Sequence, residues 1–282
     1  MVTPGAGFDG RQAGTPEQDW RRDGRLWALP LLEPPPGVHL VVLAAHPDDE
    51  SLGAGGLVAR AVVAGGAAKI VVATDGEASH PHSPTVPPSA LAARRRAESR
   101  HAADVLGAEP PIALGLPDGR LAHHRSALST ALDRAISSAR ANGRDTWLVA
   151  PWEQDRHPDH ETAGSVAAEV GAAHRIPVLQ YPIWAWHWSH PSAADLPWVR
   201  LRAVRLSLPA RAAKAAALAA HASQVAPLSQ SPGDEALLTA SMLMHFRRDL
   251  EVFAVTEPEP AQSEPLTTQP RTNRPSTSKA ST

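Results

Sequence analysis

The chain has 282 residues and no cysteine. That excludes disulfides and thiolate metal sites, so a metal held by protein groups must take His, Asp or Glu ligands. Lysine is nearly as scarce, occurring only as Lys69, Lys214 and Lys279. Arginine carries almost all the positive charge, which we read as a compositional habit of the source and not as a binding signal. Excess charge of either sign is missing too: the formal net charge is −2 and the pI is near 6.7. This balance gives no reason to expect a nucleic acid or an anionic membrane as partner. No apolar run reaches the roughly 18 residues that a membrane helix needs. The opening stretch MVTPGAGFDGRQAGTPEQDWRRDGR lacks the apolar core of a signal peptide. The expectation is a soluble cytoplasmic protein acting on a small molecule; oligomeric state is not legible.

What is present is a substantial apolar fraction, 43% of residues, arranged in alternating patterns. Short apolar runs at 38–44, 68–74, 111–116, 146–151 and 176–184 read as strands, and the segments between them carry helical periodicity. Near-continuous apolar strands separated by helices predict a Rossmann-like α/β fold, a mostly parallel sheet with helices on both faces. WVRLRAVRLSL (198–208) alternates and predicts a half-exposed strand near an edge. PARAAKAAALAAHASQ and DEALLTASMLMHFRRD predict two late helices, and LEVFAV a last strand. Residues 1–29 are rich in Gly, Pro and charge and are expected to be mobile. Residues 257–282 form a Pro/Ser/Thr-rich tail too poor in large apolar groups to offset its ordering entropy. The folded domain is therefore expected over 30–256.

Ligands of open α/β sheets bind at the carboxyl ends of the strands. Two polar clusters fall there. Ala44-Ala45-His46-Pro47-Asp48-Asp49-Glu50 follows the first strand, and Pro151-Trp152-Glu153-Gln154-Asp155-Arg156-His157-Pro158-Asp159-His160 ends the fourth. Three adjacent carboxylates repel one another and are costly to desolvate. A single His-Pro-Asp suits an ordinary turn, but two at one sheet edge point to a divalent cation that neutralises the acids. His46 and Asp49 are three apart, as are His157 and His160, so each pair can face one way. Two imidazoles and a carboxylate are a usual set for catalytic zinc, which leaves a position for water. So short a set does not separate zinc from other divalent metals.

AHPDDE and HPDH make the chain resemble the PIG-L/LmbE family of zinc-dependent N-acetyl-sugar deacetylases, from about Val38 to Gln224. Arg95-x-x-Glu98 before Leu106-Gly107, LGLPDG (114–119) and HASQ (221–224) fall in the family's order. The resemblance implies one Zn2+ per chain, with His46, Asp49 and His160 as ligands. It implies Asp48 as the general base that takes the proton of the attacking water. His157 would stabilise the oxyanion or protonate the leaving amine, and Asp159 would orient His157 and raise its pKa. Arg95 and Asp118 match positions that hold sugar hydroxyls or attached groups; a helix-surface arginine and a turn aspartate are equally natural there. Mycothiol-type members carry a tyrosine before HPDH, where this chain has Glu153-Gln154-Asp155-Arg156, so a tyrosine assistant is not expected; Asp155 is a candidate partner for the metal-binding histidines.

LGAGGLV (52–58) does not complete a dinucleotide fingerprint, since Val58 stands where the third small residue belongs; its glycines are expected to bring a helix close to the sheet. His80 and His82 read as solvated loop histidines, with the lining of a substrate entrance as the alternative. Trp184, Trp186 and Trp188 recur at period two, so a strand there would put all three on one face, either as a substrate platform led by Trp184 or as an aromatic core face. Substrate choice is expected to lie in loops 76–90, 117–125 and 184–197. The function implied is removal of the N-acetyl group from an N-acetylglucosamine-type sugar in a small glycoside. A metal-dependent amidase of a non-sugar N-acyl amine, or an inert metal-containing sugar-binding protein, is the alternative.

Overall fold

The structure, a computed structural model, describes residues 12–141 and 143–258. In chain order its elements begin with α1 (Glu17–Asp23), β1 (His39–Ala44), α2 (Asp49–Val63), β2 (Ala67–Thr74), α3 (Pro88–Leu106) and β3 (Ile112–Leu116). Next come α4 (Arg125–Arg140), β4 (Thr146–Pro151), α5 (Pro158–His174), β5 (Val178–Tyr181) and the single turn α6 (Ala185–Trp188). The chain then forms β6 (Leu201–Arg205), α7 (Leu208–Ala220), the short α8 (Ala222–Val225), α9 (Ala240–His245) and β7 (Leu250–Thr256). The strands make one seven-stranded sheet in the order β3-β2-β1-β4-β5-β7-β6. β1 to β5 run parallel, and β7 lies antiparallel between β5 and the edge strand β6.

β1 shows why the central strands are apolar throughout. Leu40, Val42 and Ala44 face a core with α2 residues Leu52, Leu57 and Val58, while Val41 and Leu43 face Leu128, Leu132 and Ile136 of α4. Both faces are covered, so no polar alternation survives. Gly53 lets α2 sit close to the sheet: a Cβ there would lie 2.1 Å from Cδ2 of Tyr181. Gly107 ends α3 in a left-handed conformation with φ 72°.

The strand order reverses between β1 and β4. They pair directly, His39 opposite Thr146 through Val42 opposite Val149, so the loops that leave their carboxyl ends diverge side by side. That is the switch-point crevice in which doubly wound sheets take their ligands. The two His-Pro-Asp clusters are those loops.

Three expectations change. Residues 17–28 of the supposedly mobile N-terminal segment are folded: α1 is followed by a 3-10 turn, Arg25–Ala28. Trp20 is fully buried edge-on to Trp186 (5.2 Å), and its Nε1 donates to Trp186 O. Glu17 is buried with Arg248 Nη2 (2.6 Å) and His245 Nδ1 (2.9 Å). Partners supplied by distant residues outweigh the local Gly/Pro/charge composition. Residues 1–11 and 259–282, with most of the expected tail, lie outside the described residues. In the late segment only Ala240–His245 is helical, capped by Thr239 Oγ1, which accepts from Met242 N. The fifth apolar run is a strand only to Tyr181, since Pro182 has no N–H for a ladder.

Candidate metal centre and active site

β1 ends at Ala44, and α2 starts at Asp49, which leaves His46-Pro47-Asp48 as a tight corner. Asp48 has φ 135° and ψ −27°, a backbone state that a non-glycine residue keeps only when its surroundings impose it. Arg95 imposes part of it. Its side chain, 2% exposed, donates to Pro47 O (2.7 Å) and Gly76 O (2.8 Å) and lies 3.3 Å from Asp48 Oδ2. Arg95 also lines the cleft and its Nε is buried without a hydrogen-bond partner, while its guanidinium braces the corner that bears the base. Gly76 is needed for this, since a Cβ there would lie 1.9 Å from Arg95 Nη1.

The second corner opens α5. Pro158 stands at the first helical position, and His157 caps the helix, its Nδ1 accepting from Asp159 N at 3.3 Å. That hydrogen bond fixes the proton of the neutral imidazole on Nε2. The Asp159 carboxylate turns elsewhere, accepting from Gly119 N (2.7 Å) and Leu121 N (3.0 Å) and lying 3.3 Å from His46 Nε2. Nor is the His157 pKa raised: burial first, then the neighbouring His160 and His46, hold it well below the usual histidine range. Asp159 thus orients His157 through its backbone N–H alone.

His46, Asp49 and His160 converge, with ligating atoms within 4.8 Å of one another. His160 Nδ1 lies 2.7 Å from Asp155 Oδ2, which leaves Nε2 facing Asp49 Oδ1 at 3.3 Å. This Nε2 is buried without a hydrogen-bond partner. His46 has the mirror arrangement: Nε2 is 3.2 Å from Asp118 Oδ1 and 3.3 Å from Asp159 Oδ2, while Nδ1 is 3.5 Å from Asp49 Oδ2. A second grouping, His46 with Asp118 and Asp159, is equally compact. Its carboxylates already accept from backbone N–H groups of Ala78, Gly119 and Leu121, so they read as outer partners of His46. An orphaned, buried imidazole nitrogen beside a carboxylate and a second imidazole fits a divalent cation.

The charge balance agrees. Asp48, Asp49, Glu50, Asp155 and Asp159 are each at most 5% exposed, the Asp118 side chain is 9% exposed, and the buried arginine facing them is Arg95. Without a cation the carboxylates must be balanced by imidazolium. The His160 pKa is pushed to about 9, because Asp49 and Asp155 outweigh the burial that opposes it. Burial, helped by the Asp49 charge, raises Asp48 to about 6 against the pull of Arg95.

His46, Asp48, Asp49, Arg95, His157 and His160 floor a narrow cleft whose remaining lining is Leu52, Ser79, Asp118, Ile183, Trp184, Leu237 and Leu238. Trp184 thus lies at the cleft, but the tryptophans do not form a strand face. Asp155 accepts from the N–H groups of Ile183, Trp184 and Ala185 (3.1, 2.9 and 2.8 Å) and winds the chain into α6. Trp186 packs on Trp20, and Trp188 stacks on Trp152 at 6.5 Å under the Arg156 guanidinium. Tyr181 is buried, donating to Leu43 O at 2.6 Å, and takes no place in the cleft. His80 is not solvated: it is 7% exposed, hydrogen-bonded to Glu235 O and Ser79 Oγ. Leu237 and Leu238 carried no signal in the sequence, where their segment reads as helix.

Residues 41–170 match the PIG-L family, described as GlcNAc-PI de-N-acetylase. Among solved structures the chain is similar to an N,N'-diacetylchitobiose deacetylase from Pyrococcus horikoshii, with 21% identity, a TM-score of 0.57, and coverage of 88% of this chain and 95% of that one. It is 31% identical to a conserved protein from Thermus thermophilus, covering 66% of this chain and 79% of the other at a TM-score of 0.48. An antimicrobial-reagent pseudoaglycone deacetylase matches at 23% identity and a TM-score of 0.53, over 77% of this chain and 97% of that one.

Proposed function

Since the chain belongs to the PIG-L family, we propose that it is a zinc-dependent deacetylase that removes the N-acetyl group from an N-acetylglucosamine-type sugar in a small glycoside. The observation that carries this reading is the convergence of His46, Asp49 and His160 with Asp48 and His157 in one cleft at the switch point. His46, Asp49 and His160 would hold the cation, and Asp118, Asp155 and Asp159 would keep the two imidazoles turned toward it. When bound, such a cation supplies a Lewis acid for the acyl oxygen and acidifies water.

The protein groups divide the remaining work. Asp48, with a pKa of about 6, is ionised at neutral pH and takes the proton as water attacks the acetyl carbonyl. Arg95 keeps its carboxylate aimed, at 3.3 Å. His157, neutral and carrying its proton on Nε2, donates a hydrogen bond to the oxyanion and does not serve as the acid. As the C–N bond breaks, the proton on Asp48 passes to the departing amine; acetate and a free amino sugar remain. Ser79, Asp118 and Trp184 line the cleft from the three loops expected to select substrate, with Arg95 beside them.

The test is primary-amine release from a panel of N-acetylglucosaminides by zinc-loaded and chelator-stripped protein. Metal-dependent release, with loss of activity in Asp48→Asn, is the expected result. Release from acyl amines that lack a sugar, with none from the sugars, would replace the sugar deacetylase with a general amidase.

A further inference from the structure

The HASQ motif has no part in the chemistry above, yet the fold brings its histidine beneath the base. We infer that His221 is a positioning residue for Asp48, acting through Ser51 and Glu50; the inference rests on Asp48 being the base of a deacetylase. Asp48 N–H donates to Glu50 Oε2 at 3.1 Å, the one side-chain hydrogen bond on the strained backbone of that residue. Glu50 is wholly buried, and its other oxygen accepts from Ser51 Oγ at 3.1 Å. His221 Nε2 closes the set, 3.0 Å from Ser51 Oγ and 3.4 Å from Glu50 Oε1.

A buried carboxylate next to Asp48 and Asp49 would be repelled by both and would swing away unless a donor held it. The Ser51 hydroxyl is that donor, and what holds it in place is His221. It is 1% exposed, its Nδ1 has no hydrogen-bond partner, and so its polar function is spent at Nε2. It is also rigidly delivered. Its backbone N–H donates to Leu218 O at the end of α7, and two residues on Ser223 binds Glu98 of α3 through both N (2.9 Å) and Oγ (2.6 Å). The Ser51, His221 and Glu50 trio is not a nucleophilic triad, because Ser51 is fully buried and its hydroxyl donates to the acid.

The experiment compares wild type, His221→Ala and His221→Gln, the last keeping an amide N–H near the place of Nε2. Steady-state kinetics on an N-acetylglucosaminide would be measured beside zinc content and melting temperature. The expected result is a fall of at least tenfold in kcat for His221→Ala with KM within twofold and one zinc per chain, and recovery to within threefold of wild type in His221→Gln. A kcat within twofold of wild type in His221→Ala overturns the inference, as does a glutamine variant as slow as the alanine one, or loss of zinc in step with kcat. Should His221→Ala not fold, Ser51→Ala replaces it: a kcat at least threefold lower supports the relay, and an unchanged kcat overturns it. Wild type that releases no amine from any N-acetyl sugar overturns the deacetylase reading, and this inference with it.

Discussion

Exchanging Asp155 for Asn keeps the shape of the side chain, yet it should loosen the metal centre without touching a proposed ligand. Asp155 is fully buried and meets four donors: His160 Nδ1 and Trp184 N at Oδ2, Ile183 N and Ala185 N at Oδ1. An amide has one acceptor end, so its nitrogen faces two of those donors whichever way it is flipped. A buried donor left unsatisfied costs about 1–3 kcal/mol, giving about 2–6 kcal/mol for the pair, divided between the fold of α6 and the orientation of His160. The imidazole can relieve part of this by moving its proton to Nε2, the atom that faces Asp49, and that tautomer cannot ligate. Outer partners of metal-binding histidines are worth about 10–100-fold in metal affinity, or about 1.4–2.7 kcal/mol. Asp155→Asn should therefore raise the zinc Kd by at least tenfold, measured at pH 7 by competition with a chromophoric chelator. Urea denaturation of the metal-free variant should show the remainder as lost stability. An affinity within twofold of wild type, with unchanged urea stability, would refute the argument that these hydrogen bonds hold His160 in its ligating state.

Three further outcomes follow from the same structure. Asp48→Asn should retain one zinc per chain and lose turnover, whereas His160→Ala should lose zinc; metal analysis beside amine release tells the two apart, and full zinc content in the His160 variant would remove it from the ligand set. Glu17→Gln should destabilise the fold by about 3 kcal/mol through the uncompensated Arg248, which is 3% exposed. Burial raises the Glu17 pKa, but His245 and Arg248 outweigh it and the net shift is downward from 4.5. Its contribution is thus complete above pH 4.5 and fades as pH falls below that value, so acid unfolding of the variant should be less steep there. Gly53→Ala gains about 1 kcal/mol of helix propensity, but the methyl group lands on the Tyr181 ring at 2.1 Å, an overpacking worth about 1–3 kcal/mol; denaturant titration should show net destabilisation.

The strands that build the cleft were the most legible part of the sequence. β1, β2 and β4 match their apolar runs to within a residue, because strands buried on both faces announce themselves without reference to their partners. The two His-Pro-Asp corners were legible for the same reason: they sit where those runs stop. What was not legible depends on residues distant in the chain. Arg95 lies between Arg94 and Arg96 in one helical run, and no local signal says that only the middle one is buried under Pro47 and Gly76. Period two among Trp184, Trp186 and Trp188 suits a strand, but the backbone there is wound by a carboxylate some thirty residues earlier. Trp20 and Glu17 sit in a stretch whose composition favours mobility, and only Trp186, His245 and Arg248 reveal why it folds.

His46 and His160 approach each other only because β1 and β4, far apart in the chain, lie side by side. In an unfolded chain the proposed ligands are separated by a long loop, and no site exists to bind a cation. A metal bound at this seam would act as the cross-link that a cysteine-free chain cannot make from sulfur. It would tie the first half of the sheet to the second, and at a free concentration a thousandfold above its Kd it would add about 4 kcal/mol to folding. Removing it would cost the protein cohesion as well as chemistry, beginning where β1 meets β4.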